Sequence, residues 1–405
     1  MATPKLRFKA FNDDWSLKTI GEIASKVGSG STPRGGAEAY TNEGVIFIRS
    51  QNVNNNQLLL DDVVFIPEAT HKKMSGSKVQ ANDILLNITG ASIGRSCVVS
   101  TTFVEGNVNQ HVCIIRTPND NPIFVQSFLS SEKGQNHIQA KQVGGGREGL
   151  NFQAIRSIDF EIPSKEEQTK IASFLSAVDE KISQLTQKHE LLSQYKQGMI
   201  QKLFSQQIRF KADDGNEFGE WEKVRLGNYL VKHDEKTEFN NQYPVLTSSR
   251  NGIFFQKDYF SGQDIASADT TGYNVVPYGY FTYRHMSDDL IFKFNINTLC
   301  PKGIVSTLYP VFTVKPDFLN TYFLQTILNE GQEFKNFAIM QKQGGSRTYM
   351  YFSKLVELFL TIPCLDEQTK IANFLSAIDQ KIEVVAQQIE QAKEWKKGLL
   401  QQMFV

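Results

Sequence analysis

The sequence IPSKEEQTKIASFLSAVDEKI, which begins at Ile162, returns 200 residues later as IPCLDEQTKIANFLSAIDQKI from Ile362. Between positions 167 and 177, ten of the eleven residues are identical to their counterparts at 367–377. A match of this length at a fixed offset indicates an internal duplication. The sequence therefore predicts two copies of one architecture, each of which ends in this segment.

The duplication extends beyond the quoted segment in both directions. The recurring residues are Gly144, Gly145, Arg147 and Phe152 with Gly344, Gly345, Arg347 and Phe352, and LRFK before Trp15 with IRFK before Trp221. We therefore divide the chain into a first body (1–163), a first helical segment (164–205), a linker (206–220), a second body (221–363) and a second helical segment (364–405). The two bodies have diverged almost completely, whereas their framework is retained. This pattern favours one scaffold that holds two readers of different ligands.

Both repeated segments are predicted to be long helices. Ser164 is a typical N-cap, and Glu167 three residues later is expected to close a capping box with it. Apolar residues then recur every seven positions, with further apolar residues between them, as in paired helices. The predicted pairing residues are Ile171, Leu175, Val178, Ile182 and Leu185 in the first helix and Ile371, Leu375, Ile378, Ile382 and Val385 in the second.

The two helices are the obvious partners of each other. Two separate amphipathic helices, each packed on its own body, would show a similar stripe, so that alternative stays open. Forty residues at ~1.5 Å each form a rod of roughly 60 Å. A rod of this length can set the spacing of two half-sites, which recur about every 34 Å on one face of B-DNA.

Composition narrows the class of protein. A chain of 405 residues exceeds one ordinary core, so two or three domains are expected. Its 43 basic and 43 acidic side chains cancel, so any DNA contact must be local or shared with partners. The start, MATPKLRFKAFNDDW, lacks the apolar stretch of a signal peptide, and no run of about 18 apolar residues occurs, so a cytoplasmic protein without membrane contact is expected.

The cysteines and the catalytic motifs argue against a resident metal or an enzyme. Cys97, Cys113, Cys300 and Cys364 form no C-x-x-C pair, so reduced structural thiols are expected rather than zinc ligands. No P-loop motif, no S-adenosylmethionine loop and no cluster of catalytic residues is apparent. We therefore predict no metal, no catalytic residue and no cofactor bound by this chain.

Each body is predicted to be an α+β domain with a curved sheet. Short alternating runs indicate strands at VIFIRS (from Val45), DILLNITG (Asp83) and HVCIIRT (His111) in the first body, and at YPVLTSS (Tyr243), GYFTYR (Gly279) and YPVFTV (Tyr309) in the second. The segments FVQSFLSS from Phe124 and LNTYFLQTIL from Leu319 are helix candidates.

Polar residues at the strand ends are candidate DNA contacts. Arginine pairs with guanine, Asn and Gln pair with adenine, and hydroxyl groups bond to either base. The candidates are Arg49, Ser50, Gln51 and Asn52 in the first body, and Ser248, Ser249, Arg250 and Asn251 at the matching place in the second. Arg95, Arg284, Arg147 and Arg347 are further candidates for phosphate or base contacts. Each of these residues would equally suit a solvated turn.

The loop from Gly144 to Gly149 formally matches G-x-G-x-x-G. A dinucleotide site needs a helix after this motif, whereas we expect NFQAIRSIDFEIP, which follows it, to be extended. We interpret the loop as a DNA-facing or hinge segment, with a plain tight turn as the alternative.

The arrangement resembles the specificity subunits of type I restriction-modification enzymes. The resemblance is carried by Pro followed by EQ-x-KIA-x-FL and an Asp four residues later, at Glu167 to Leu175 with Asp179 and at Glu367 to Leu375 with Asp379. The segments GSGSTPRGG, GVIFIRSQNV and DILLNITGASIG resemble the start of such recognition domains, whereas HDEKTEFNNQYPV in the second body departs from that pattern.

The resemblance implies that 1–163 and 221–363 are target recognition domains and that the long helices pair as an antiparallel coiled coil. Each domain would read half of a split double-stranded DNA target. Two methyltransferase (modification) subunits would use S-adenosylmethionine, and nuclease/translocase (restriction) subunits would use ATP and Mg. The alternatives are a duplicated scaffold that binds proteins or small ligands, and a self-sufficient DNA methyltransferase or nuclease.

Overall fold

The computed structural model describes residues 4–33, 35–142, 149–260, 268–342 and 347–404. The chain forms two compact units. Unit 1 contains residues 1–187 together with 386–405, and unit 2 contains residues 188–385. Each unit therefore combines one body with the start of its own long helix and the end of the other one.

Unit 1 contains twelve strands and five short helices within the described residues, and the first long helix begins there. The strands are β1 (Ser16–Thr19), β2 (Lys26–Ser29), β3 (Val45–Ile48), β4 (Val53–Asn54), β5 (Gln57–Leu58), β6 (Val64–Ile66), β7 (Lys78–Val79), β8 (Ile84–Asn87), β9 (Ser96–Val98), β10 (Gly106–Val108), β11 (Val112–Arg116) and β12 (Asp159–Ile162). The helices are α1 (Ile20–Ile23), α2 (Glu68–Lys73), α3 (Pro122–Ser130), α4 (Glu132–Ala140), α5 (Phe152–Arg156) and the long α6 (Lys165–Phe204).

Unit 2 contains twelve strands and four short helices over its described residues, and the second long helix begins there. The strands are β13 (Glu222–Arg225), β14 (Leu230–Lys232), β15 (Leu246–Ser249), β16 (Gly252–Phe255), β17 (Asn274–Pro277), β18 (Phe281–Thr282), β19 (Met286–Ser287), β20 (Asn295–Ile296), β21 (Lys302–Val305), β22 (Val311–Val314), β23 (Thr348–Tyr349) and β24 (Phe359–Ile362). The helices are α7 (Gln256–Tyr259), α8 (Thr321–Glu330), α9 (Gln332–Met340), α10 (Phe352–Leu355) and the long α11 (Leu365–Met403).

The same framework of sheets occurs in both units. An antiparallel pair, β1 with β12 or β13 with β24, lies just before each long helix. A four-stranded sheet has the order β2-β11-β8-β9 in unit 1 and β14-β22-β18-β20 in unit 2. The strands and helices predicted from the alternating runs are confirmed, except that α5 lies where an extended segment was expected. With five residues, α5 is much shorter than the helix of a dinucleotide site.

The end of each long helix completes a core that belongs to the other copy's body. In unit 1, Leu399, Leu400 and Met403 share the core of Ile171 and Leu175. In unit 2, Ile200 and Leu203 share the core that contains the start of α11. Because the start of one helix packs with the end of the other in both units, the helices run antiparallel, as predicted.

The predicted pairing residues are buried or half-buried along this seam. Eight of them are at most 7% exposed: Ile171, Leu175, Val178, Leu185, Ile371, Leu375, Ile378 and Val385. The other two, Ile182 and Ile382, are partly buried against the cores of units 1 and 2. Two ion pairs related by the repeat flank the seam, Asp179 with Lys396 in unit 1 and Asp379 with Lys196 in unit 2.

Glu167 does not close the predicted capping box. Its backbone N–H donates to Ser164 Oγ at 3.4 Å, so the N-cap is present. Its carboxylate, however, accepts hydrogen bonds from Arg7 Nε and Nη2, both at 2.8 Å, and from Trp15 Nε1 at 3.2 Å. The capping-box prediction is therefore wrong, because a cation and an indole N–H from the start of the body compete for this carboxylate.

The second copy repeats this joint. Glu367 accepts from Arg209 and Trp221, and both glutamates are almost fully buried. Gln168 and Gln368 add hydrogen bonds at the same place. Each side chain donates to the carbonyl of the proline that precedes its helix. Each also accepts from the backbone N–H of a helix N-cap in the body, Asn121 for Gln168 and Asn320 for Gln368. The repeated Glu-Gln pair thus fixes each long helix to its body.

Candidate nucleic-acid interface

Three loops of unit 2 meet at the turn that contains Asp288 and Asp289. Arg250, at the tip of the β15–β16 hairpin, donates from both terminal nitrogens to Asp289 at 2.8 and 2.7 Å. Arg347, just before β23, donates from Nε to Asp288 at 2.9 Å. Two arginines that the sequence places almost a hundred residues apart therefore lie on one face. We call this surface of unit 2 the arginine face; it is formed by residues 249–251, 284–291 and 347–351.

Asp289 is rigidly held within its turn. Ser287 Oγ donates to its carboxylate at 2.9 Å, and the N–H of Ile291 donates at 3.2 Å. The Arg250 guanidinium, with help from Ser287, lowers the pKa of Asp289 below its ordinary value. The carboxylate is therefore charged at neutral pH, and its own turn holds it independently of Arg250.

A stack of aromatic rings adjoins the two arginines. Strand β19 pairs with β23 and brings His285 and Tyr351 together with 5.0 Å between ring centroids, while Tyr349 and Tyr351 stack at 5.7 Å. Both tyrosines are about half exposed, at 41% and 51%. Arg284, which precedes His285, is exposed. Exposed aromatic faces and arginines suit contacts to sugars, phosphates and thymine methyl groups.

Sequence reasoning missed the two tyrosines and His285. The alternation of tyrosine and methionine in TYMY at 348–351 could have indicated them. In the structure Met350 is fully buried, while its neighbours Tyr349 and Tyr351 point outward. Such alternation is typical of an edge strand with one solvated face.

The other hairpin residues differ in their accessibility. Ser248 is 6% exposed, donates to the carbonyl of Thr282 and accepts from Asn295 Nδ2 at 2.8 Å. Ser249 is half-buried and bonds within the hairpin, whereas Asn251 is exposed at its tip. The hydroxyl of Ser248 is therefore buried and already paired within the body, and a DNA contact at this position stays a prediction.

In unit 1 the turn after β3 is fixed by Asn52. This side chain is 2% exposed, donates to the carbonyls of Leu59 and Asp62, and accepts from the N–H of Arg49 at 2.9 Å. Asn52 thus shapes the turn, and its predicted contact with a base stays a prediction. Gln51 is exposed and donates to Asp62 Oδ2 at 2.8 Å.

Arg49, Ser50 and Arg95 are brought to the same region of unit 1. Asn87, at the end of β8, donates its side chain to the carbonyl of Ser50 and its backbone N–H to the carbonyl of Arg95, at 2.9 and 2.8 Å. Arg95 is exposed and Arg49 is half-buried. Arg49 Nε is buried and has no hydrogen-bond partner among the described residues, an exception to the usual pairing of buried donors.

A chain of polar side chains that the sequence did not reveal adjoins this region. Thr32 Oγ1 donates to Gln110 Oε1, Gln110 Nε2 lies 3.0 Å from His111 Nε2, and His111 Nδ1 lies 2.6 Å from Thr89 Oγ1. Both ring nitrogens of His111 therefore have a polar partner in this chain of contacts. Thr89 also forms a bridge with Gly149. The predicted contact Arg147 lies outside the described residues.

No group of three or more potential metal ligands occurs among the described residues. No helix in the described part of the chain is long and apolar enough to cross a membrane.

The family model of the type I restriction modification DNA specificity domain matches residues 12–194 and 219–394. Because these two matches cover most of the chain, the protein belongs to this family and carries two copies of its domain. It is thus a DNA sequence-recognition subunit of the type I restriction-modification class, as the resemblance implied. Neither alternative, the ligand-binding scaffold or the self-sufficient enzyme, gains support.

Several proteins with known names are similar along most of their length. The putative type I restriction enzyme MjaX specificity subunit of Methanocaldococcus jannaschii is 22% identical, with 96% of this chain and 92% of that protein covered. The MjaVIII specificity subunit of the same organism is 24% identical over 80% of this chain and 78% of that protein. The crystal structure of the type I restriction-modification S subunit from M. genitalium has the same fold, with 16% identity, a TM-score of 0.59 and 100% and 99% coverage.

Proposed function

We propose that this chain reads a split DNA target, one half with each unit, and directs adenine methylation and ATP-dependent cleavage by partner subunits. The observation that carries the proposal is the repetition of one framework around two different polar faces. The N–H of Leu150 donates to the carbonyl of Ile88 in unit 1, and the N–H of Met350 donates to the carbonyl of His285 at the equivalent place in unit 2. The side chains beside these contacts differ: Thr89 and His111 in unit 1, Tyr349 and Tyr351 in unit 2. Equivalent positions with different chemistry are expected of readers of two different half-sites.

The methylation and cleavage reactions belong to the partner subunits in this proposal. In the proposed complex, two methyltransferase subunits bind S-adenosylmethionine, and restriction subunits bind ATP and Mg, while this chain binds no cofactor and remains in the cytoplasm. Exposed apolar residues on the long helices support a docking role, since Leu191, Tyr195 and Val384 of unit 2 are each more than half exposed. Contiguous apolar patches on a protein surface are typical of protein interfaces, and Leu191 and Tyr195 lie one helical turn apart.

The test is to co-express the chain with the methyltransferase subunit from the same genome and to map methylated adenines by long-read sequencing. A single split motif is expected. Arg49→Gln and Arg250→Gln should then relax different halves, each by about 1–3 kcal/mol of base discrimination if the arginine pairs with guanine.

Arg225→Gln is the matched control. Arg225 is exposed like Arg250 and lies on β13, where its Nε donates to the carbonyl of Val356, away from the strand-end turns. This variant should leave the motif unchanged. If a complex forms and binds S-adenosylmethionine but no motif is methylated, the proposed function fails.

A further inference from the structure

The most informative feature outside the predicted contacts is the carboxylate pair of the arginine face. The Arg250 fork donates two parallel hydrogen bonds to Asp289, and Arg347 is paired with Asp288. A guanine edge or a phosphate would compete with Asp289 for the two terminal nitrogens of Arg250. The face therefore presents one arginine whose terminal nitrogens are both engaged by the protein, and a second that is engaged through Nε.

Both ion pairs are exposed, so a ligand can replace the carboxylate as the partner of the arginine. The side chains of Arg250 and Asp289 are 56% and 45% exposed, and those of Arg347 and Asp288 are 53% and 63% exposed. Ion pairs as exposed as these contribute little to folding. Because Asp289 is anchored by Ser287 and Ile291, DNA binding would release the arginine by rotation of its side chain while the carboxylate stays in place.

A fixed carboxylate distinguishes two kinds of DNA contact. A phosphate that takes Arg250 from Asp289 comes to lie beside a like charge, which is unfavourable, whereas the guanine edge is neutral. The same argument applies to Arg347 beside Asp288. The equal numbers of acidic and basic residues in the whole chain fit a protein that suppresses general attraction to phosphate.

We propose that Asp288 and Asp289 are specificity-determining residues that withhold Arg347 and Arg250 from the phosphates of non-target DNA. The inference rests on the proposed function, because it assigns the arginine face to one half of the target. It adds that recognition by unit 2 depends on carboxylates that themselves make no favourable contact with DNA.

The test uses the full chain in complex with its methyltransferase subunits and two duplexes of equal length, one with the mapped motif and one without. Asp288→Asn and Asp289→Asn remove one charge each with little change of shape. Each should raise affinity for the non-target duplex by about fivefold at 0.15 M salt, from a salt slope of about 0.9 per phosphate contact. Affinity for the target should rise less, so the ratio of the two affinities should fall.

Glu357→Gln controls for the change in net charge. Glu357 pairs with Lys354 at 3.3 Å and is exposed to a similar degree as Asp289, at 48% against 45%. This variant should alter neither affinity. In an Arg250→Gln background, Asp289→Asn should have no further effect on non-target binding, because no masked arginine remains at that pair.

The outcomes separate this inference from the proposed function. If the wild-type complex neither methylates a split motif nor binds DNA in a salt-dependent way, the proposed function fails. If it does both but the aspartate variants leave non-target affinity and its salt slope unchanged, only the masking role is overturned. Loss of target affinity without a gain on non-target DNA also overturns it, since the carboxylates would then orient the arginines.

Discussion

Replacing Glu167 by Gln should destabilise unit 1 through the joint between body and helix. The carboxylate is 1% exposed and accepts two hydrogen bonds from Arg7, whose side chain is 15% exposed. Removing one partner of a buried ion pair costs ~3–5 kcal/mol. Because glutamine keeps one acceptor oxygen and Arg7 retains some contact with water, we expect a loss of about 2–3 kcal/mol.

The loss can be measured by urea unfolding followed by circular dichroism. With an m-value of about 2–3 kcal/mol per M, the midpoint of the unit 1 transition should fall by about 1 M. Peptide-level hydrogen exchange assigns the transition, since protection should fall in the core of unit 1 and be retained in that of unit 2.

Glu166→Gln is the matched control for this experiment. Glu166 lies one residue earlier in the same first turn of α6 and is exposed. It should change stability by less than about 0.5 kcal/mol, as surface substitutions usually do. Equal effects of the two variants would refute the reasoning, since the loss could not then be ascribed to the buried partners.

Three further results are expected. Phe404→Ala should destabilise unit 1 by about 3–5 kcal/mol, because this ring is 6% exposed within the core; an unfolding midpoint equal to wild type would contradict that packing. Burial raises the pKa of Cys97 and of Cys113 to about 12, so both thiols remain protonated at pH 8. They should resist maleimide until urea unfolds the chain, whereas exposed Cys364 should react at once. Rapid labelling of all three cysteines in the native protein, measured by mass spectrometry, would contradict this burial. Lys396→Met should cost at most about 1 kcal/mol in urea unfolding, since its partner is half exposed, and a larger loss would mean that the ion pair between the helices is a main source of stability.

The framework was predictable because it is repeated and periodic. The heptad pattern and the two prolines placed α6 and α11 almost to the residue, and alternation located the main strands. The role of the repeated Glu-Gln pair was not predictable from local rules. A capping box concerns residues three apart, whereas Arg7 reaches Glu167 across 160 residues.

The candidate site was predictable as a region but not residue by residue. Strand ends indicated which loops carry polar groups, yet nothing in the local sequence reveals that Asn52 and Ser248 turn inward. The partner of Arg250 lies 39 residues away, so its engagement by a carboxylate was equally hidden. Side-chain direction at a turn depends on which loop packs beside it, and that is a tertiary property.

The placement of Leu399 to Phe404 in the core of unit 1 has a consequence for folding during synthesis. The first body leaves the ribosome long before these residues are made, so its core stays open while the whole second body is translated. Unit 2 has no such delay, because Ile200 and Leu203 precede it. Contacts this distant in sequence form slowly, and an open core exposes apolar surface that invites aggregation. The nascent first body is therefore expected to need chaperone protection until residue 404 emerges.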